Sequence, residues 1–154
     1  MICEGIAIET EARSITSLVG EAAAQITRFE PREAFAALEA GAHILDIRSQ
    51  DARELHGVVP GSVHIPRTVL EWRVALDSEW RNPYIGGLDK QLILICDHGY
   101  SSVLAAANLV QLGFQRAGDV IGGFEAWERD GLPVAPCPHQ VFAAGELPGM
   151  GPPD

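Results

Sequence analysis

The sequence predicts an α/β protein: a mostly parallel sheet with helices over both faces. Three observations predict it. Short apolar segments of strand length alternate along the chain with segments of helical pattern. One strand segment, Leu92-Ile93-Leu94-Ile95, is apolar at every position, as a strand buried on both faces requires. Glycine or proline closes most of the segments, at Gly41, Pro66, Gly113 and Gly131.

Taken in order, Pro31 opens the first helix from an N1-like position, with Ala34, Phe35, Ala37 and Leu38 as its apolar face. Ile44–Ile47 reads as a short buried strand, and Asp51–Leu55 as a short helix. Val63–Ile65 is a second strand, ended by Pro66. Thr68 and Glu71 stand three apart in capping-box spacing, which predicts a helix running to about Leu76. After the Leu92–Ile95 strand, a helix is expected from Ser102 to Leu112. Asp119–Ile121 is the last strand and Phe124–Arg129 the last helix. In a parallel sheet, ligands sit beyond the carboxyl ends of the strands. A site is therefore expected from Asp46–Arg48, Pro66–Arg67, Cys96–Ser102 and Gly122–Phe124.

The chain has 154 residues with 11 basic and 21 acidic side chains, a net charge of −10. That length predicts one domain. Half of the charge lies outside residues 26–137. The first 25 residues hold four acids and one arginine, and residues 138–154 hold two acids and no base. These ends read as an N-terminal arm (1–25) and a Pro/Gly-rich tail (137–154) around a core domain (26–136). Lys90 is the single lysine and there is no basic stripe, so nucleic acid is not an expected partner. Apolar runs such as Ala34–Leu38 and Leu92–Cys96 are too short to span a membrane. Glu4, Glu9 and Glu11 stand where a signal peptide would be basic. A cytoplasmic protein is expected.

Three cysteines (Cys3, Cys96 and Cys137) lie far apart in sequence, which argues against a disulfide framework and against a Cys-x-x-Cys redox pair. Cys96 is the informative one. It opens the loop Cys96-Asp97-His98-Gly99-Tyr100-Ser101-Ser102, between the most apolar strand and the most helical segment. A strand-to-helix turn aims backbone N–H groups at its centre, and the helix adds the positive end of its dipole. Gly99 permits the tight curl. An ordinary thiol with pKa near 8.5 is about 3% thiolate at pH 7. Making thiolate the major form requires a downward shift of about two units, or about 2.7 kcal/mol. A helix end supplies about 0.3–2 kcal/mol, so several N–H donors must contribute as well.

Together with Gly122-Gly123-Phe124-Glu125-Ala126-Trp127, this loop resembles the rhodanese-like domain, in the form of single-domain bacterial thiosulfate sulfurtransferases. Leu45-Asp46-Ile47-Arg48, Glu54, Val59-Pro60-Gly61-Ser62 and His64-Ile65-Pro66 fit the same family in order and spacing. The resemblance covers about residues 26–136 and implies a sulfurtransferase. Cys96 would accept a sulfane sulfur from a small donor such as thiosulfate, and a thiol or cyanide would remove it. The amides from Asp97 to Ser102 would hold thiolate and persulfide, and the Ser101 and Ser102 hydroxyls would donate to the terminal sulfur. No cofactor or metal is implied, and no protein partner is indicated. One departure stands out. Rhodaneses that handle thiosulfate well often carry Arg or Lys inside this loop, where Asp97, His98 and Tyr100 stand here. Arg67, with Arg48 behind it, is then the expected added charge.

Other readings are weaker. A Cys-x5-Arg phosphatase needs an arginine where Ser102 stands. Zinc could draw on Cys96-x-His98 and Cys137-x-His139, but Cys137 lies between two prolines in no familiar ligand spacing. Trp72, Trp80 and Trp127 read as core and pocket-edge residues, with Glu71, Trp72 or Arg73 at the pocket mouth. A non-enzymatic persulfide-carrier, sensing or docking module of the same family is the alternative from another class. Retention of Cys96, Gly99 and Ser101 argues against it.

Overall fold

The computed structural model describes residues 12–138 and 147–154; Cys3, the acidic residues Glu4, Glu9 and Glu11, and His139 lie outside them. In chain order the elements are α1 (Ile15–Ala23), β1 (Thr27–Phe29), α2 (Pro31–Glu39), β2 (His43–Asp46), α3 (Gln50–His56), β3 (Val63–His64), α4 (Leu70–Val74), β4 (Leu92–Ile95), α5 (Ser101–Gln111), β5 (Gly118–Val120) and α6 (Gly123–Arg129). The strands form one sheet in the order β1-β5-β4-β2-β3, and every pairing is parallel. The α/β class and the parallel sheet expected from the alternation are what the chain adopts.

β4 explains the sheet's two faces. Side chains of a strand alternate between faces. Leu92, Leu94 and Cys96 pack with α4 and α5 residues Leu70, Val74, Ala105, Ala106 and Leu109. Ile93 and Ile95 pack on the opposite face with Ala34, Phe124 and Trp127 of α2 and α6. A strand covered on both sides has no polar face, hence the unbroken apolar run. Trp127 is fully buried, and its Nε1 donates to the Pro133 carbonyl at 2.9 Å.

The structure adds one strand and corrects one local expectation. β1 had no apolar run to announce it, because Thr27-Arg28-Phe29 is an edge strand with none of its residues fully buried. The Thr68–Glu71 capping box does not form. Arg67–Val69 is a single 3-10 turn and α4 ends at Val74. Glu71 is engaged elsewhere, by Arg67 at 3.0 Å and Asn108 Nδ2 at 2.9 Å. The capping box belongs instead to α2, where Glu33 accepts from the Glu30 amide at 2.9 Å.

The ends of the chain carry contacts of their own. Ala22 of α1 is buried with Val103 and Ala107 of α5. Asp154 meets Arg53 at 2.7 Å and pairs its backbone with Gly61 and Ser62. Arg73 donates to the Pro148 carbonyl at 2.7 Å, and Asn82 to the carbonyls of Gly149 and Gly151 at 2.8 and 3.0 Å. Among the described residues no helix is long and apolar enough to cross a membrane.

Candidate functional site

The strand order decides where a site forms. From β2 the chain steps to β3 on one side, and from β4 to β5 on the other. The crevice between the carboxyl ends of β2 and β4 is thus the switch point of the sheet. Cys96 follows β4 there, and strand alternation turns its side chain toward the face that α5 covers. Its residue exposure is 5%.

The loop wraps the sulfur. The Gly99 amide donates to Cys96 Sγ at 3.1 Å, and Sγ lies 3.2 Å from Ser102 Oγ, with the thiol donating. Ser102 stands in the first turn of α5 and is fully buried, whereas Asp97, His98, Tyr100 and Ser101 are exposed. Gly99 has φ +85°, and a Cβ there would meet the Gly122 amide nitrogen at 2.6 Å. Gly123 has φ +63°, and a Cβ there would come within 2.5 Å of the Cys96 carbonyl oxygen. That close approach lets the first amides of α6 bind the loop from outside: Phe124 N donates to Cys96 O at 2.8 Å and Glu125 N to Asp97 O at 3.1 Å.

The serine proton goes to a residue the sequence did not single out. Ser102 Oγ donates to Asp119 Oδ2 at 2.7 Å, and Asp119 is fully buried in β5. Arg28 of β1 closes the chain. Its Nε and Nη2 donate to the two Asp119 oxygens at 2.9 and 3.1 Å, and Nη2 also donates to the Gly99 carbonyl at 3.1 Å. Register explains the meeting. Arg28 is the partner of Asp119, and Asp119 the partner of Leu94, so all three side chains share the α5 face. An acid inside a predicted strand was the one available signal for Asp119. Arg28 had none.

The other expected charges are placed differently. Arg48 is buried against Asp46, which accepts from its Nε at 3.0 Å and its Nη2 at 2.8 Å. Its guanidinium carbon lies 3.9 Å from the Phe124 ring centroid. Asp46 also accepts from Arg53 Nε at 3.2 Å. Arg67 is ion-paired with Glu71 and lines a groove with residues of α1 and α5, including Leu18, Ala22 and Leu104. Arg28, not Arg67, is the guanidinium that reaches the loop's backbone.

Beside the loop opens a cavity of about 400 Å³, lined by His56, Asp97, His98, Phe124, Glu125 and Glu128. His98 Nδ1 is 2.7 Å from Glu125 Oε2. A larger groove, about 520 Å³, is lined by Trp72, Trp80, Glu71 and Leu112 among others and contains no residue of the loop. Trp72 and Trp80 are thus exposed groove residues away from the site, and Arg73 is buried beneath the tail. Among the described residues no three His, Cys, Asp or Glu side chains gather in a metal-ligand arrangement.

The family model of the rhodanese-like domain matches residues 30–130. The chain belongs to the rhodanese-like domain family. The thiosulfate sulfurtransferase GlpE of Pseudomonas syringae pv. syringae is 38% identical over 105 residues, covering 67% of this chain and 88% of that protein. A protein of unknown function from Rhodopseudomonas palustris, described as a possible tyrosine phosphatase, superposes with a TM-score of 0.74 at 30% identity, over 82% of this chain and 98% of its own. The polysulfide-sulfur transferase homodimer of Wolinella succinogenes shares the fold, with a TM-score of 0.65 at 23% identity, over 82% and 90% of the two chains. This rhodanese-like chain carries Ser102 where the phosphatase chemistry needs arginine.

Proposed function

We propose that this rhodanese-type sulfurtransferase carries the transferred sulfur as a persulfide on Cys96. The observation that carries the reading is the pair of polar groups converging on one sulfur, the Gly99 amide donating to it at 3.1 Å and the Ser102 hydroxyl oxygen accepting from it at 3.2 Å. Hydrogen bonds to an anionic sulfur favour the thiolate, which is the nucleophile. The thiolate attacks the sulfane sulfur of the donor. A Cys96 S–S bond forms, the donor's own sulfane bond breaks, and the leaving group departs with the electron pair. From thiosulfate that leaving group is sulfite. A thiol or cyanide then attacks the terminal sulfur, and Cys96 leaves as thiolate. No oxidant or reductant enters.

The charge beside the loop supports a preference among donors. Asp97, Glu125 and Glu128 line the cavity beside the loop, with His56 and His98 as the basic groups among its described lining residues, and His98 is held by Glu125. A dianion meets repulsion there. A persulfide or polysulfide donor of lower charge is therefore the better substrate, with thiosulfate a weak one.

The test is mass spectrometry of the full chain after incubation with a persulfide donor. One added sulfur on Cys96 is expected, with thiocyanate formed on addition of cyanide and neither product in Cys96→Ser. Sulfur on Cys137 instead, or equal turnover in wild type and Cys96→Ser, overturns the assignment. Stable loading of Cys96 without turnover would mark a non-enzymatic persulfide module. Hydrolysis of aryl phosphates is expected to be absent, because Ser102 cannot clamp phosphate oxygens as arginine does.

A further inference from the structure

Cys96 sits at the head of a continuous chain of contacts that ends on another strand. Sγ meets Ser102 Oγ at 3.2 Å, Ser102 Oγ meets Asp119 Oδ2 at 2.7 Å, and Asp119 takes Nε and Nη2 of Arg28 at 2.9 and 3.1 Å. A second path is shorter. Arg28 Nη2 holds the Gly99 carbonyl at 3.1 Å, and the amide of the same residue donates to Sγ. Both groups that touch the sulfur thus lead back to one guanidinium.

We propose that Arg28 is a positioning residue for sulfur transfer: it fixes the Gly99 amide and, through Asp119, the Ser102 hydroxyl on Cys96, and it neutralises a buried carboxylate that would otherwise oppose the thiolate. The proposal rests on Cys96 being the nucleophile.

The physical case begins with Asp119. A fully buried carboxylate one hydroxyl away from the reactive sulfur is a liability, since a like charge disfavours a second anion nearby. Two N–H donors from one guanidinium form a bidentate pair and cancel that charge. They also leave Asp119 satisfied when Ser102 turns away from it. In the thiol form the protons run from Cys96 to Ser102 and from Ser102 to Asp119. When the thiol proton leaves for solvent, the single hydroxyl proton of Ser102 swings from Asp119 to the thiolate, and Arg28 alone holds the carboxylate. Only the S–H bond breaks in this step: its proton goes to solvent and its electron pair stays on sulfur. Asp119 holds the Arg28 guanidinium above the ordinary arginine pKa by hydrogen bonding. The Cys96 charge acts in the same direction, more weakly.

Among the described residues, the other titratable groups around the loop are Asp97, His98 and Tyr100 on it, Glu125 and Glu128 on α6, and His56 on α3, while Glu30 acts on Arg28 itself. Arg48, the buried cation packed on Phe124, is paired with Asp46. Arg28 is the cation with a hydrogen bond to the loop itself.

The test is the pH dependence of Cys96 alkylation by iodoacetamide in the full chain carrying Cys3→Ser and Cys137→Ser. Alkylation reads the thiolate whether or not sulfur is transferred, so a failed turnover assay and a failed Arg28 assignment are distinguishable. Arg28→Met is expected to move the profile up by about one pH unit and slow alkylation at pH 7 about tenfold. Arg28→Lys keeps the charge and stays near the parent. Arg28→Met/Asp119→Asn removes both charges and returns toward the parent. Asp119→Asn alone moves the profile down, and it decides the matter if Arg28→Met fails to fold. An Arg28→Met profile that superimposes on the parent overturns the proposal. So does a double variant that stays shifted, or an unmoved Asp119→Asn.

Discussion

Ser102 Oγ and Asp119 Oδ2 lie 2.7 Å apart, joining the first turn of α5 to the centre of β5 beside the Cys96 sulfur. The hydroxyl is therefore placed as a rotor between a carboxylate and a thiol. Ser102→Ala removes the rotor and keeps the volume. We expect kcat/KM for sulfur transfer to fall about tenfold, the worth of a hydrogen bond of about 1–1.5 kcal/mol, with little change in thermal midpoint. Unchanged turnover would show that Ser102 serves the fold alone.

Gly123 is the point where α6 meets the loop. A Cβ there would stand 2.5 Å from the Cys96 carbonyl oxygen and 2.7 Å from the Asp97 carbonyl carbon, at a φ of +63°. Neither backbone group can retreat without moving the sulfur. Gly123→Ala should therefore lower unfolding stability by about 1–3 kcal/mol and lower turnover beyond that loss. Denaturant titration and assay of the remaining folded fraction separate the two effects.

Asp46 serves two buried guanidinium groups at once. It accepts from Arg48 Nη2 at 2.8 Å and from Arg53 Nε at 3.2 Å, and both arginine side chains are almost wholly buried. Asp46→Asn keeps the shape and removes the countercharge. A loss of about 3–5 kcal/mol is expected, as for a buried pair robbed of one partner. Denaturant unfolding followed by tryptophan fluorescence measures it. A change below about 1 kcal/mol would mean that Asp154, which meets Arg53 at 2.7 Å, compensates.

Burial lowers the pKa of two histidines, His64 and His43, each helped by a nearby cation: Arg53 for His64 and Lys90 for His43. Below the ordinary imidazole range the unfolded chain then binds more protons than the folded one. The sign follows: these groups make stability rise with pH, and it is lost as pH falls from about 6.5 toward the folded values. Thermal midpoints measured between pH 7.5 and 5 should fall. The fall should be shallower in His43→Gln/His64→Gln. An identical slope in that variant would remove the two histidines as its source.

The class of fold and the loop headed by Cys96 were legible in the amino-acid sequence alone. These are local facts: four consecutive apolar residues have one sensible burial, and a cysteine between a strand and a helix opens the turn that joins them wherever the rest of the chain goes. What only the tertiary structure decided is the charge behind that cysteine. Arg28 and Asp119 are 91 residues apart and share no motif, and β1 has no apolar run. They meet because β1 and β5 pair in parallel with Arg28 opposite Asp119, which turns both side chains to the face that carries Cys96. Register is a long-range property of the sheet. From the sequence, Arg67 at the end of a predicted strand was the nearest cation in view, but the fold pairs it with Glu71.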